Sequence, residues 1–205
     1  MTKHNSAKVL KNDESVESKP SWVTDSVEKY RKTEEFEEIY DFYKIHTLHD
    51  SSSARGKKFK DYNWNNSKLL QEAIFHKLKL EGHFFYSNKG YTGMPEGLIK
   101  LGLDSGNWYK GMIEKVCFSR TRPNGELNGL LVHLRNSFAH ERFQITEYKE
   151  NNDWIFIFED IGENKTTKKI EISSRMILKK STLQKWMNII KHGEDDYKNR
   201  QSGNK

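Results

Sequence analysis

The sequence predicts a mainly α-helical chain carrying a small antiparallel β-hairpin between its most polar-studded helix and its C-terminal helix. Apolar residues recur at spacings of three and four in several separate stretches, the signature of amphipathic helices. After His140 the apolar period shortens to two, which marks strands. Between these regimes, residues 82–111 hold 7 of the 13 glycines and Pro95, a composition that interrupts regular structure.

Residues 1–22 are polar and without period, and are expected to form a disordered N-terminal tail. Asp25 to His46 predicts a helix with Phe36, Ile39, Tyr40 and Tyr43 inward. His46 and His49 stand three apart near its end, but no third metal ligand is close, so a structural role is expected and no metal site is assigned. Asp50 to Asn66 is loop-like, with a basic patch at Arg55, Lys57, Lys58 and Lys60. Ser67 predicts the N-cap of a second helix reaching about Leu80, with Leu70, Ala73, Ile74 and Leu78 inward.

The glycines of residues 82–111 match neither the dinucleotide fingerprint nor the Walker spacing, so an irregular connection is expected, with a short helix near Glu96 to Leu101. Tyr109, Met112, Ile113, Val116 and Cys117 predict a third helix, with Cys117 a core residue rather than a nucleophile. Leu127, Leu130, Leu131, Leu134 and Phe138 then form the stripe of a fourth. Phe143 to Lys149 and Trp154 to Ile161 predict two strands joined by a turn at Glu150 to Asp153, and Lys168 to Ile172 a third. Residues 173–180 are equally consistent with strand and helix. Ser181 predicts the cap of a last helix with Leu183, Trp186, Met187 and Ile190 inward and Gly193 as its stop. The expected organisation is one domain over 23–193, its β-hairpin region at about 143–172, and a polar C-terminal tail over 194–205. The expected core is Phe36, Ile39, Tyr40, Leu70, Ile74, Ile113, Val116, Leu130, Leu134, Trp186 and Ile190.

Composition narrows the function classes. Hydrophobic content is 34%, so the core is modest, and aromatics at 12% must supply much of it. No apolar run approaches the ~20 residues of a membrane span. The N-terminus lacks the apolar middle of a secretory signal, and one cysteine, Cys117, excludes an intrachain disulfide or a four-Cys zinc site. A cytoplasmic protein without membrane partners is expected. The formal charge is +6, and residues 161–205 hold 11 Lys or Arg against 5 Asp or Glu, while residues 24–41 hold 7 acidic against 3 basic. That asymmetry permits a polyanion partner, and a solvated lysine-rich surface explains it equally.

The fourth helix carries the chemistry. Its polar faces bear His133, Arg135, Asn136 and His140. At about 100° per residue, Asn136 and His140 lie about 40° apart, whereas Arg135 projects about 140° from His140. Arg135 and His140 therefore meet only if the long side chain curls round, the last turn distorts, or a second copy of the helix supplies one of them. A histidine can take or deliver a proton near neutrality, and an arginine can fork onto a phosphate and stabilise its growing charge. Such a pair suits attack on a phosphodiester, and it also fits a purely structural network.

Leu134 to Phe143, LRNSFAHERF, resembles the R-x4-6-H signature of the HEPN superfamily, with Arg135, Asn136 and His140 at the motif positions and Ser137, Phe138 and Ala139 as its small and aromatic filling. The hairpin and the stretch ISSRMILKKSTLQKWMNII are similar to those of small stand-alone bacterial, often plasmid-borne members. The resemblance implies a HEPN-like up-and-down helical bundle and a metal-independent endoribonuclease of toxin or abortive-infection type, working as a homodimer. It implies His140 as general acid or base, Arg135 on the scissile phosphate and Asn136 in support, with no cofactor and no metal. His133 and Arg142 are the flanking candidates for substrate binding. RNA is the implied substrate, and an antitoxin or regulatory protein a further partner. Many relatives carry, two residues after the His, a Tyr that a partner enzyme modifies; Arg142 stands there, which argues against that mode of silencing. A non-catalytic RNA- or protein-binding module is the alternative reading, and a small-molecule- or nucleotide-binding domain a third.

Overall fold

The computed structural model describes residues 19–44, 58–76, 83–120, 125–148 and 153–202. In chain order they form α1 (Glu28–Arg31), α2 (Glu34–Lys44), α3 (Ser67–His76), β1 (Phe84–Ser87), α4 (Met94–Leu101), β2 (Lys115–Ser119), α5 (Glu126–Ala139), β3 (Phe143–Tyr148), β4 (Asp153–Glu163), β5 (Ile170–Lys179) and α6 (Lys180–Ser202). The strands make one five-stranded sheet in the order β1-β2-β5-β4-β3, parallel only between β1 and β2. The expected mainly α bundle with a small hairpin is therefore incorrect: the molecule is mixed α/β, with helices on both faces of a central sheet.

The residues of the central strands explain the difference. In β2, β4 and β5 consecutive side chains are buried because the sheet is covered twice. Val116, Phe118, Phe156, Phe158, Met176 and Leu178 pack with α2, α3, α5 and α6 on one face. Their neighbours Cys117, Ile155, Ile157 and Ile177 pack against Met94, Leu98 and Leu101 of α4 and against Trp108 on the other. The helix expected over Tyr109 to Cys117 is instead a 3-10 turn at Trp108–Lys110 followed by β2. Met112 and Ile113 are exposed, Ile113 at 61% and so outside the core expected of it, and Gly111 lies close enough to Ile177 that a Cβ there would be 2.8 Å from its Cδ1. The three-four spacing in that stretch is coincidental.

Other boundaries move for local reasons. The first expected helix breaks between α1 and α2, where Thr33 caps the new start: its hydroxyl accepts from Phe36 N–H at 3.3 Å and donates to Tyr30 C=O at 2.7 Å. Asn66, not Ser67, caps α3, its Oδ1 accepting from Lys68 and Leu69 N–H at 3.1 Å. β3 and β4 pair as an antiparallel hairpin from Phe143↔Phe158 to Tyr148↔Asp153, but this hairpin is one edge of the larger sheet. The ambiguous residues 173–179 extend β5, which sits at the sheet's centre. Gly193, non-helical at φ +81 and ψ 176, ends the first helix of α6 as expected, and a second helical stretch follows directly across the kink to Ser202. At the other end Trp22 stacks on Tyr109 and meets Trp108 edge-on at 5.1 Å. His46, His49, Arg55, Lys57, Leu78, Leu80, the turn residues Glu150 to Asn152 and residues 1–18 lie outside the described residues. No described helix is long and apolar enough to cross a membrane.

Candidate functional site

Helix α5 lies across the sheet with Leu127, Leu130, Leu131, Leu134 and Phe138 in the core, as its stripe predicts. Its start and end decide what the polar residues do. Ala139 is the last helical residue and His140 the C-cap, its N–H bonded to Asn136 C=O at 2.9 Å. Glu141 follows in the left-handed region at φ +53, with Glu141 N–H on Phe138 C=O and Arg142 N–H on Ser137 C=O at 2.9 Å. This is a Schellman ending with glutamate where glycine is usual. It leaves His140 half-buried at the helix end and turns Arg142 inward.

Arg142 is 1% exposed, against the sequence expectation of a substrate contact. Its guanidinium pairs with Glu159, whose other oxygen takes Arg175 at 2.9 Å. Arg175 also donates to Leu103 C=O at 2.6 Å and lies over the Trp108 ring at 4.7 Å. The two arginines and one carboxylate lock β3, β4, β5 and the α4–β2 connection together; the cluster keeps one net positive charge, faced by the Leu103 carbonyl and the Trp108 ring on the Arg175 side.

His133 is likewise buried. Its Nε2 is 2.9 Å from Ser119 C=O and its Nδ1 2.6 Å from Asp160 Oδ2, and its ring meets Phe118 at 6.0 Å between centroids. A carbonyl only accepts, so Nε2 carries a proton. A second proton must then lie between Nδ1 and the carboxylate, since two bare lone pairs would repel at that distance. The His133–Asp160 pair is therefore neutral overall, whichever partner holds the shared proton. Asn136 donates from Nδ2 to the same Oδ2 at 3.1 Å, which fixes its amide orientation and leaves its Oδ1 without a donor among the described residues. Asp160 sits at the β4 bulge between Asp160 and Ile161, which aims it at α5.

These three residues form the back wall of an open cavity of about 880 Å³, whose sides include Tyr91, Arg120 and Lys165. Tyr91 is half-buried, and its hydroxyl lies over Gly162, where a Cβ would be 2.3 Å away. Burial, helped by the charges of Asp160 and Glu171, pushes the Tyr91 phenol up to about 12. Cys117 is a core thiol on the opposite face, pushed up to about 12 by burial with Arg175 opposing.

Arg135 and His140 are placed differently. Both are half-buried, neither lines the cavity, and neither side chain has a hydrogen bond or ion pair to any described residue. The structure thus gathers His133 and Asn136 around Asp160, buries Arg142 elsewhere, and leaves Arg135 and His140 unpartnered on α5. Sequence reasoning missed Asp160, Tyr91, Glu159 and Arg175. The signal for the acids was present: Glu159 and Asp160 stand together inside the apolar run WIFIFEDI, where an acid is rarely buried without a partner. No protein-family description, curated protein or solved structure matches the chain.

Proposed function

We propose that the chain is a metal-independent endoribonuclease that cuts RNA by attack of the substrate's own 2′-hydroxyl, with Arg135 and His140 as its reacting residues and Asn136 beside them. The reading rests on the HEPN-like motif side chains and not on a helical bundle, since function resides in a site rather than in a fold class. One observation carries it. Of the five ionisable side chains between His133 and Arg142, the fold engages three: His133 with Asp160, Glu141 with Arg31 at 3.2 Å, and Arg142 with Glu159. The two without a partner among the described residues are the Arg and the His of the motif. A half-buried guanidinium and imidazole with nothing to bind suit an anionic ligand.

In the proposed step the imidazole of His140 takes the 2′-hydroxyl proton. The 2′-oxygen bonds to phosphorus, the bond from phosphorus to the 5′-oxygen breaks, and an imidazolium returns a proton to that leaving oxygen. Arg135 neutralises the phosphorane's added charge. The two side chains project about 140° apart on a regular helix. Two copies are therefore expected to pair through the polar side of α5, so that Arg135 of one serves with His140 of the other. The host-defence role and an antitoxin or other protein regulator belong to the same proposal. Arg142, buried, stands where many HEPN toxins carry a Tyr that a partner enzyme modifies, which argues against control by modification at that position.

The test is incubation of the protein with bulk RNA in EDTA beside His140→Ala and Arg135→Ala. Wild-type cleavage leaving 2′,3′-cyclic phosphate ends, with a loss of at least about 100-fold in each variant, is expected. Undiminished RNA with a folded wild-type protein overturns the nuclease and favours a non-catalytic RNA- or protein-binding module.

A further inference from the structure

We infer that the cavity on the Asn136 side of α5 seats the phosphate backbone of the RNA strand next to the bond that is cut. That the strand is RNA and is cut rests on the ribonuclease reading above; the phosphate site rests on the cavity's own residues. Its rim carries Lys89 from the β1–α4 connection, Arg120 from just past the end of β2 and Lys165 from the β4–β5 connection. All three are exposed, and none has a side-chain hydrogen bond or ion pair among the described residues. The acids present do not claim them. The His133–Asp160 pair is neutral overall, and Glu163 is paired with Lys168 at 3.3 Å. Three unclaimed cations around one concave surface favour a ligand with several negative charges.

The wall between them offers uncharged donors. Ser173 is 3% exposed, and its buried hydroxyl has no hydrogen-bond partner among the described residues. A hydroxyl buried in that way is a cost to the fold unless something else engages it. Asn136 spends one amide hydrogen on Asp160 and keeps the second, and the Tyr91 hydroxyl has no bond to any described residue. Lys, Arg, Ser, Asn and Tyr are all side chains that hold nucleic-acid phosphates. Tyr91 also brings an aromatic ring, on which the bases of a single strand stack and for which a carboxylate-bearing protein segment has no need. At about 880 Å³ the cavity takes in one nucleotide. Asn136 stands one turn before His140, about 6 Å along α5, so a strand meeting His140 passes the cavity with a neighbouring nucleotide.

The test is fluorescence anisotropy of the full chain with a labelled single-stranded 2′-O-methyl RNA, which cannot be cut because its nucleophile is capped, over a series of salt concentrations. Lys89→Gln, Arg120→Gln and Lys165→Gln together should weaken binding at least about tenfold at about 0.1 M salt. The slope of log affinity against log salt should flatten by about 2, at about 0.7 for each phosphate neutralised on a single strand. Lys68→Gln, Lys100→Gln and Lys185→Gln, exposed and outside the cavity, remove the same charge and should leave the slope within about 0.7 of wild type. Equal slope changes in the two triple variants overturn the site and leave only the diffuse attraction of a basic protein. Ser173→Ala should weaken binding about threefold without lowering the melting temperature, since no bond to a described residue is lost; unchanged affinity overturns the placing of phosphate at that wall. ATP or polyglutamate displacing the RNA as well as unlabelled RNA does overturns the strand, in favour of a free nucleotide or an acidic protein. The two readings fail separately: wild-type cleavage of ordinary RNA with no slope difference between the triple variants removes the site and keeps the nuclease, whereas a cavity-dependent slope without cleavage does the reverse.

Discussion

His133 and His140 stand seven residues apart on one helix, and their surroundings give them opposite work. His133 has both nitrogens engaged and holds Asp160 in the core; His140 caps the helix with its ring unclaimed. Truncation should separate them. His133→Ala leaves a buried carboxylate without its main partner and should cost about 3 kcal/mol in urea denaturation. Arg135→Ala, on the same helix, removes no side-chain hydrogen bond or ion pair to any described residue and should stay within about 0.5 kcal/mol. Equal losses in the two would place Arg135 in a structural network and weaken the case for a reacting arginine. From sequence, the motif residues were legible because their types and spacing are local. Which of the five candidate polar residues would be engaged was not, because Asp160 and Glu159 arrive from a strand 17 to 27 residues away.

Element by element, what the sequence hid follows from burial on two faces. An amphipathic helix declares itself because one side stays polar, and α2, α5 and the first part of α6 were all readable in that way. A strand covered on both sides has no polar side to mark its period. β2 therefore passed for a helix and the second half of β5 for either, while β1, only half-buried, was hidden in the glycine-rich stretch read as a loop. Gly193 was legible as the stop of the first helix of α6, because glycine commonly ends helices. Here its positive φ and the 2.9 Å that would separate a Cβ from Tyr62 C=O make it a kink that seats the end of α6 on the start of α3. Gly193→Ala should cost about 1–3 kcal/mol by thermal or urea unfolding, with α5 and its motif unaffected. An Ala variant as stable as wild type would mean that the backbone can relax away from Tyr62.

At the scale of the molecule, that seat is also where acid should act. Glu194, just past the kink, accepts from Lys198 and from Asn65 and Asn66 N–H at 2.9 and 2.8 Å. Lys198 first, then the Asn66 N–H, holds its carboxyl below the usual glutamate range against the opposing effect of desolvation. A carboxyl depressed in the folded state contributes stability at pH above its unfolded value of about 4.3, and that contribution is lost as pH falls through the folded one. Glu194→Gln should therefore be less stable than wild type at pH 7, with the gap closing below about pH 4 in parallel urea titrations. A gap that does not change with pH would assign Glu194 a packing role only.

The central position of β5 has a consequence in time. β5 bonds to β2 on one side and β4 on the other, yet it is the last strand to be made. Until residue 179 has left the ribosome, β1 and β2 have no neighbour to join them to the β3–β4 hairpin, and α6, with Trp186 and Ile190 of the core, has yet to be made. Nascent chains therefore cannot complete the sheet beneath α5 before residue 179 is synthesised.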